Sequence, residues 1–447
     1  MSDYSIKDKC KINTNFGDEN FVGIKCQDGD IQITFPLCFN IPENINENEA
    51  YSDKELRKDI LLLLSVIQST IGHSDSELLK NDAKEFRSVK FPLQAYMYLI
   101  QDFFARGYYM EREMQHKVAK RGKIDWNRTI KQLKPVVQDG NAYYLDFIVR
   151  KSAIKENELI TLVHEYCVYD AFCKIGWLYT GYQPAKPRLK YNRNLFNSVV
   201  MEKLNHTFND KNRVLFKNML AIINGQGDNP DSDSYTYGTG RFEYVWEAMI
   251  DHLYGVPDKE EYYPKTSWSL NVESDDGEKK DDFEGSSLRP DTIMIYNHKL
   301  YVLDAKYYKF GFERKPNNLP KSADINKQIT YGEYIEQADK FQSKEYTDKF
   351  DKKYIYNAFL MPYNASEAKW DSTRNTSPNN AEAYPHLHHI GSASADWKHN
   401  DKAYEKVQGI LLDVKHLMNI TLQVDNTANM GEIDRLSRLI EEAVSKT

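Results

Sequence analysis

The sequence predicts an α/β protein: a C-terminal mixed sheet flanked by helices, preceded by a small β-rich N-terminal unit and a mainly helical middle region. Three observations lead there. Two apolar, β-branched runs, Thr292-Ile293-Met294-Ile295 and Leu300-Tyr301-Val302-Leu303, flank a polar break at Asn297-His298-Lys299, which is the pattern of a strand hairpin. Apolar residues at helical spacing precede it from Phe242 to Tyr254 and follow it from about Asp324 to Phe341. Further strand-like runs lie at Tyr354 to Met361 and Val407 to Val414.

The chain in order supports three segments, residues 1–90, 91–225 and 226–447. In the first, Phe21-Val22-Gly23-Ile24-Lys25 and Ile31-Gln32-Ile33-Thr34-Phe35 alternate around a Gln27-Asp28-Gly29-Asp30 turn, a hairpin signal. An Asn- and Glu-rich linker, Asn44 to Ala50, precedes a helix that starts near Glu55, capped by Ser52 or Asp53. Such a unit reads equally as a docking module or as a packing appendage.

The second segment reads as mainly helical. Met97, Leu99, Ile100, Phe103 and Phe104 form an apolar stripe, and Gly122-Lys123-Ile124-Asp125-Trp126 reads as an interruption of the helix behind it. Two basic stretches stand out. One holds Lys120, Arg121, Lys123 and Arg128; the other holds Arg188, Lys190 and Arg193. Either suits a phosphate backbone, and the alternative is a solvated, salt-bridged surface. The breaker-rich run Ile223 to Ser234 marks the boundary to the third segment.

The third segment carries the chemistry. Asp291 opens the first strand of the hairpin, and Asp304 and Lys306 close the second with one residue between them. Side chains alternate across a strand, so Asp304 and Lys306 share a face, and the hairpin can bring Asp291 to them. Two carboxylates and an ammonium at the end of an apolar hairpin suit a divalent cation held by oxygen. Asp82-Ala83-Lys84 has the same three letters as Asp304-Ala305-Lys306 but no apolar run before it. The pairing with Asp291 is what sets the latter apart. Trp268-Ser269-Leu270 reads as a strand, followed by a solvated acidic loop from Glu273 to Glu284. His386-Leu387-His388-His389, with His399 nearby, reads as a loop and lacks the close Cys of a zinc site. The last helix, Gly431 to Val444, is amphipathic, for packing or an oligomer contact.

These residues resemble a known family. Pro290-Asp291 with Asp304-Ala305-Lys306 resembles the signature of the PD-(D/E)xK nuclease superfamily. Phe242-Glu243-Tyr244-Val245-Trp246-Glu247, Arg289-Pro290-Asp291 and Leu303-Asp304-Ala305-Lys306-Tyr307-Tyr308 look like the LlaJI-type restriction endonucleases, relatives of the McrC-like nuclease subunit of McrBC systems. Phe21 to Lys25, Leu56 to Ile60 and Gly122 to Trp126 are similar to that family as well.

The resemblance implies a PD-(D/E)xK core and a Mg²⁺-dependent restriction endonuclease, with Mn²⁺ able to substitute. It implies Asp291 and Asp304 as metal ligands, the Ala305 carbonyl beside them and Lys306 at the attacking water. Products would carry a 5′-phosphate and a 3′-hydroxyl. It further implies a carboxylate from the first helix of the core: Glu243 matches best, with Glu247 as competitor. Gln328 and Tyr331 are the nearest matches for accessory residues, although their spacing is tighter than the family's. Double-stranded DNA and a McrB-like AAA+ GTPase are the implied partners. Two other readings stay open: a catalytically silent DNA-binding or motor-activating subunit, and a repair or structure-specific nuclease.

The totals are compatible with this. A chain of 447 residues exceeds a single core, and 41% apolar residues suffice to build more than one. A net charge of −7 requires that any nucleic-acid grip come from local basic clusters. Five cysteines without metal-type spacing suggest reduced thiols of a cytoplasmic protein. No run of about 18 apolar residues suggests a membrane span. No Gly-x-x-x-x-Gly-Lys-[Ser/Thr] nucleotide loop is present.

Overall fold

The computed structural model describes residues 6–14, 20–41, 53–73, 91–155, 158–225, 234–268, 283–284, 287–370, 382–423 and 426–446. The linker at Asn44 to Ala50, most of the breaker-rich run, Asp82-Ala83-Lys84 and nearly all of the acidic loop lie outside these. The chain forms two compact units, Met1–Val89 with Ser234–Thr447, and Lys90–Asp233.

The first unit opens with strands β1 (Cys10–Ile12), β2 (Val22–Gln27) and β3 (Asp30–Phe35) and helix α1 (Asp53–His73). β2 and β3 form the expected hairpin, with Cys26 opposite Ile31. Its turn puts Asp28 at φ 51° and Gly29 at φ 82°, the doubly left-handed geometry that an Asp-Gly pair tolerates. Val22, Ile24 and Cys26 on one strand and Ile33 and Phe35 on the other are buried, as alternation requires. α1 buries Leu56, Ile60, Leu63, Leu64 and Ile67.

The second unit contains α2 (Leu93–Arg106), β4 (Glu111–Ala119), β5 (Lys123–Ile124), α3 (Trp126–Gln132), β6 (Val136–Gln138), β7 (Asn141–Tyr143), β8 (Phe147–Lys155), α4 (Leu159–Ile175), α5 (Arg193–His206) and α6 (Asp210–Gly225). The expectation of a mainly helical region is therefore corrected between Glu111 and Lys155. A three-stranded antiparallel sheet, in the order β4-β8-β5, and the small β6–β7 hairpin occupy that stretch. Met114, Gln115, Lys117 and Val118 of β4 are exposed on both faces, so no period-two apolar signal marks the strand. Gly122 to Trp126 does not break a helix. Gly122, at φ 144°, turns the chain into β5, and Asp125 caps α3 by accepting the Arg128 backbone N–H at 3.2 Å.

The chain then returns to the first unit. β9 (Tyr235–Thr239) pairs antiparallel with β2 and completes a four-stranded sheet, β1-β3-β2-β9. Gly23 sits at that seam, where a Cβ would lie 2.2 Å from the Tyr237 carbonyl oxygen. The N-terminal strands thus share a sheet with the segment that leads into the C-terminal elements.

Those elements are α7 (Phe242–Tyr254), β10 (Ser267–Trp268), β11 (Phe283–Glu284), β12 (Thr292–Tyr296), β13 (Lys299–Ala305), α8 (Ser322–Gln337), β14 (Ile355–Tyr363), β15 (Leu387–Ala393), β16 (Val407–Asp413), α9 (Val414–Thr421) and α10 (Asn426–Lys446). The expected mixed α/β architecture is present. Its five-stranded sheet has the order β12-β13-β14-β16-β15, with β13, β14 and β16 parallel and both edge strands antiparallel. All nine residues of β14 are buried, as suits a central strand covered on both faces. One core cluster joins Leu300, Val302, Ile329, Phe359, Met361 and Leu411.

Two local expectations change. His386 to His389 is not a loop: Leu387–Ala393 is an edge strand of this sheet. α8 starts at Ser322 rather than near Asp324, and Asp324 lies within the first turn, accepting the Lys321 backbone N–H at 3.0 Å. Among the described residues, no helix is long and apolar enough to cross a membrane.

Candidate active site

The site begins with the hairpin register. Asn297 and His298 take φ of 49° and 58°, which closes β12 onto β13 with a two-residue turn. That places Thr292 opposite Leu303. One step beyond the ladder, Asp291 falls opposite Asp304, on the same face. The Asp291 carboxylate accepts the Ala305 backbone N–H at 2.8 Å, locking the two strand ends together. Lys306 remains in the sheet because its N–H donates to the Leu360 carbonyl at 2.9 Å. Its ammonium lies 2.8 Å from Asp304 Oδ2 and 3.3 Å from Asp324 Oδ1. The sequence-predicted triad is thus assembled, with Asp304 only 3% exposed.

α7 lies against this corner. Trp246 donates its indole N–H to the Leu360 carbonyl at 3.3 Å, fixing the helix over β14. Tyr307 packs against Phe242 and Trp246, and its hydroxyl accepts the Leu37 backbone N–H at 2.6 Å. Both Glu243 and Glu247 lie on the helix face toward the site, but they are differently engaged. Glu243 pairs with Arg241 Nε at 3.2 Å. Glu247 is pushed up to about 7, first by burial and then by repulsion from Asp304, with Lys306 opposing.

Asp291 is raised well above the usual carboxylate range. Burial is the main cause, followed by Asp304 and Glu247, while the Ala305 N–H and Lys306 pull the other way. Burial alone would lower Lys306, but Asp304, Asp291 and Asp324 outweigh it and hold the ammonium charged. The corner therefore carries more acids than it can neutralise. Its donors are all oxygen, and the surplus is negative, which fits a hard divalent cation. Among the described residues, however, no group of three or more His, Cys, Asp or Glu side chains is drawn together closely enough to hold a metal ion by itself. Lys306 is the cation against Asp304.

The model of the LlaJI restriction endonuclease family matches residues 21–377, which include every residue named so far in this site. The chain belongs to the LlaJI restriction endonuclease family. A curated relative, the type II restriction enzyme BsuMI component YdjA of Bacillus subtilis (strain 168), is 27% identical over 270 residues. That match covers 57% of this chain and 55% of the relative, so the chain spans about half the length of the curated protein it matches. Among solved structures, a half-complex of Thermococcus gammatolerans McrB AAA+ hexamers with bound McrC aligns at 14% identity and a TM-score of 0.33. It covers 94% of this chain and 82% of the other.

The remaining candidates of this LlaJI-family chain separate clearly. Gln328 is 1% exposed and braces the sheet: its side chain donates to the Val302 carbonyl at 2.7 Å, and its backbone carbonyl accepts from Asn357 at 2.9 Å. Tyr331 is fully buried and has no hydrogen-bond partner for its hydroxyl among the described residues. Burial raises its pKa, with Asp304 and Asp291 as further causes, so it lies within electrostatic reach of the corner. Lys120, Arg121, Lys123 and Arg128, and Arg188, Lys190 and Arg193, are all exposed in the second unit. His389 bonds to Gln408 at 3.0 Å, and His386 stacks on His416.

Two participants escaped the sequence reading. Asp324 carries no site signal in the sequence, and only the packing of α8 turns it toward Lys306. Lys259 bridges Asp251 at 2.7 Å and the Asp291 carbonyl at 2.8 Å, while Thr292 also bonds to Asp251. No short-range signal links residues so far apart in sequence.

Proposed function

We propose that this chain is the nuclease subunit of a restriction system. It would hydrolyse DNA phosphodiester bonds with a PD-(D/E)xK core and a divalent metal, Mg²⁺ or Mn²⁺. The carrying observation is the register that sets Asp291 opposite Asp304 with Lys306 ion-paired beside them. Asp291, Asp304 and the Ala305 carbonyl would hold the metal. Glu247 is proposed as the third acid in preference to Glu243, because Glu247 interacts with Asp304 and Lys306 while Glu243 is paired with Arg241. When bound, the metal supplies Lewis-acid polarisation of the phosphate and a more acidic water.

The chain's own residues do the rest. Lys306, ion-paired with Asp304 and Asp324, would donate a hydrogen bond at the reacting centre. It orients the attacking water and offsets charge that develops on the phosphorane. Asp304 and Asp324 hold the ammonium in place. Tyr307 and Trp246 fix α7, and hence Glu247, over the strand ends.

A separate McrB-like AAA+ GTPase is proposed as partner. Family membership and the lack of a nucleotide loop in the chain support it. The deciding experiment uses Lys306→Ala. It should lose Mg²⁺-dependent cleavage while keeping DNA and partner binding. Equal behaviour of wild type and variant under Mg²⁺ and Mn²⁺ would make the chain a silent subunit.

A further inference from the structure

We propose that the β4-β8-β5 sheet of the second unit is a duplex-DNA surface, gripping phosphates through a row of basic side chains that crosses its three strands. The pairing register sets His116 opposite Arg150, and Arg150 opposite Lys123. Directly opposed residues share a sheet face, so three basic side chains stand side by side. The like charges of Arg150 and Lys123 repel in that arrangement unless an anion lies beside them. The chain supplies one. Asp125 accepts from Arg150 Nε at 3.1 Å and from the Arg128 backbone, and lies 3.3 Å from His116 Nε2.

One carboxylate does not balance the row. The Arg128 and Arg150 side chains remain 50% and 45% exposed, and Lys123 is exposed beside them. From Met114 to Lys151 the chain holds nine Lys and Arg against three Asp and no Glu, in a protein of net charge −7. A polyanion is the occupant that this imbalance fits. Trp126, 53% exposed, and Ile130, 60% exposed, stand on α3, which Asp125 caps. They offer apolar contact to a groove beside the phosphates. The second basic stretch has no such row, and Arg193 there is spent on the Asn224 carbonyl at 3.2 Å.

Only the choice of DNA as the polyanion rests on the proposed function. Binding of a labelled duplex to the full chain is read in EDTA, where nothing is cut. A failure of cleavage and a failure of this surface are therefore told apart. Lys123→Gln with Arg150→Gln should weaken binding about tenfold and reduce the salt slope of log affinity by roughly two, the loss of two phosphate contacts. Lys344→Gln with Lys353→Gln should change neither. Because Arg150 also supports Asp125, a second measurement needs no variant: duplex DNA should protect Lys123 of the wild type from acetylation and leave Lys117, on the opposite face of β4, reactive. Unchanged affinity and slope in a folded double variant, or full acetylation of Lys123 under saturating DNA, overturns the proposal. Protection without DNA that deepens with protein concentration would also overturn it, in favour of contact between copies of this chain.

Discussion

Two charged clusters of opposite imbalance define this protein. At the end of β12 and β13, Asp291, Asp304, Glu247 and Asp324 gather around the ammonium of Lys306. On the sheet of the second unit, His116, Arg128 and Arg150 gather around the carboxylate of Asp125. The electrostatic consequences run in opposite directions. In the first cluster, burial and mutual repulsion raise Asp291 and Glu247. In the second, the Arg128 N–H, then Arg150 and His116, lower Asp125. Each cluster is incomplete by one kind of charge. Under the proposed function, a divalent cation would offset the acidic corner and the phosphates of DNA would offset the basic sheet.

The predictions probe this contrast. The largest effect belongs to the acidic corner: Lys306→Ala should lower cleavage by about 10²–10³-fold, the scale of losing one preorganised charge donor. Single-turnover assays on the wild type and the variant measure it, with DNA binding unchanged. Next comes the choice of helix acid. Glu247→Gln should cost about 10–100-fold in metal affinity or activity, and Glu243→Gln should stay near wild type. The reverse ranking in a metal titration would return the role to Glu243.

A third test distinguishes the units by acid stability. His164, fully buried in the second unit, accepts the Tyr109 N–H at 2.9 Å and is lowered from 6.5 to about 3 by burial, then by Arg106. The unfolded chain takes up that proton near 6.5 and the folded chain only near 3. The contribution is complete above pH 6.5 and declines as pH falls toward 3. Tryptophan fluorescence melts across that range should show it, and a neutral His164→Gln variant should flatten the dependence. The smallest effect is expected at Gln328. Gln328→Leu removes the side-chain bond to the Val302 carbonyl, leaves the backbone bond from Asn357, and should destabilise the fold by about 1–3 kcal/mol in urea melts. If it instead abolished cleavage in a folded protein, Gln328 would belong to the site.

Much of the first cluster was legible beforehand. Alternation placed Asp304 and Lys306 on one face, and the short polar turn brought Asp291 across. Those are local rules with a period of two, so they survive without tertiary information. The second cluster was legible only as composition. Lys120, Arg121, Lys123 and Arg128 read as a basic stretch behind a helix, because β4 has no apolar face to reveal a strand. Arg150 and His116 joined them only through the ladder.

The sequence alone thus determined the hairpin, its three charged ends, the helix Phe242–Tyr254 and the order of α/β elements around them. Tertiary structure decided which of Glu243 and Glu247 meets Asp304, that Asp324 turns to Lys306, and that Gln328 braces β13. It also decided that Glu111 to Lys155 is sheet. Periodicity tells a residue which face it occupies. What that face meets depends on chain segments tens to hundreds of residues away, and no local pattern encodes their approach.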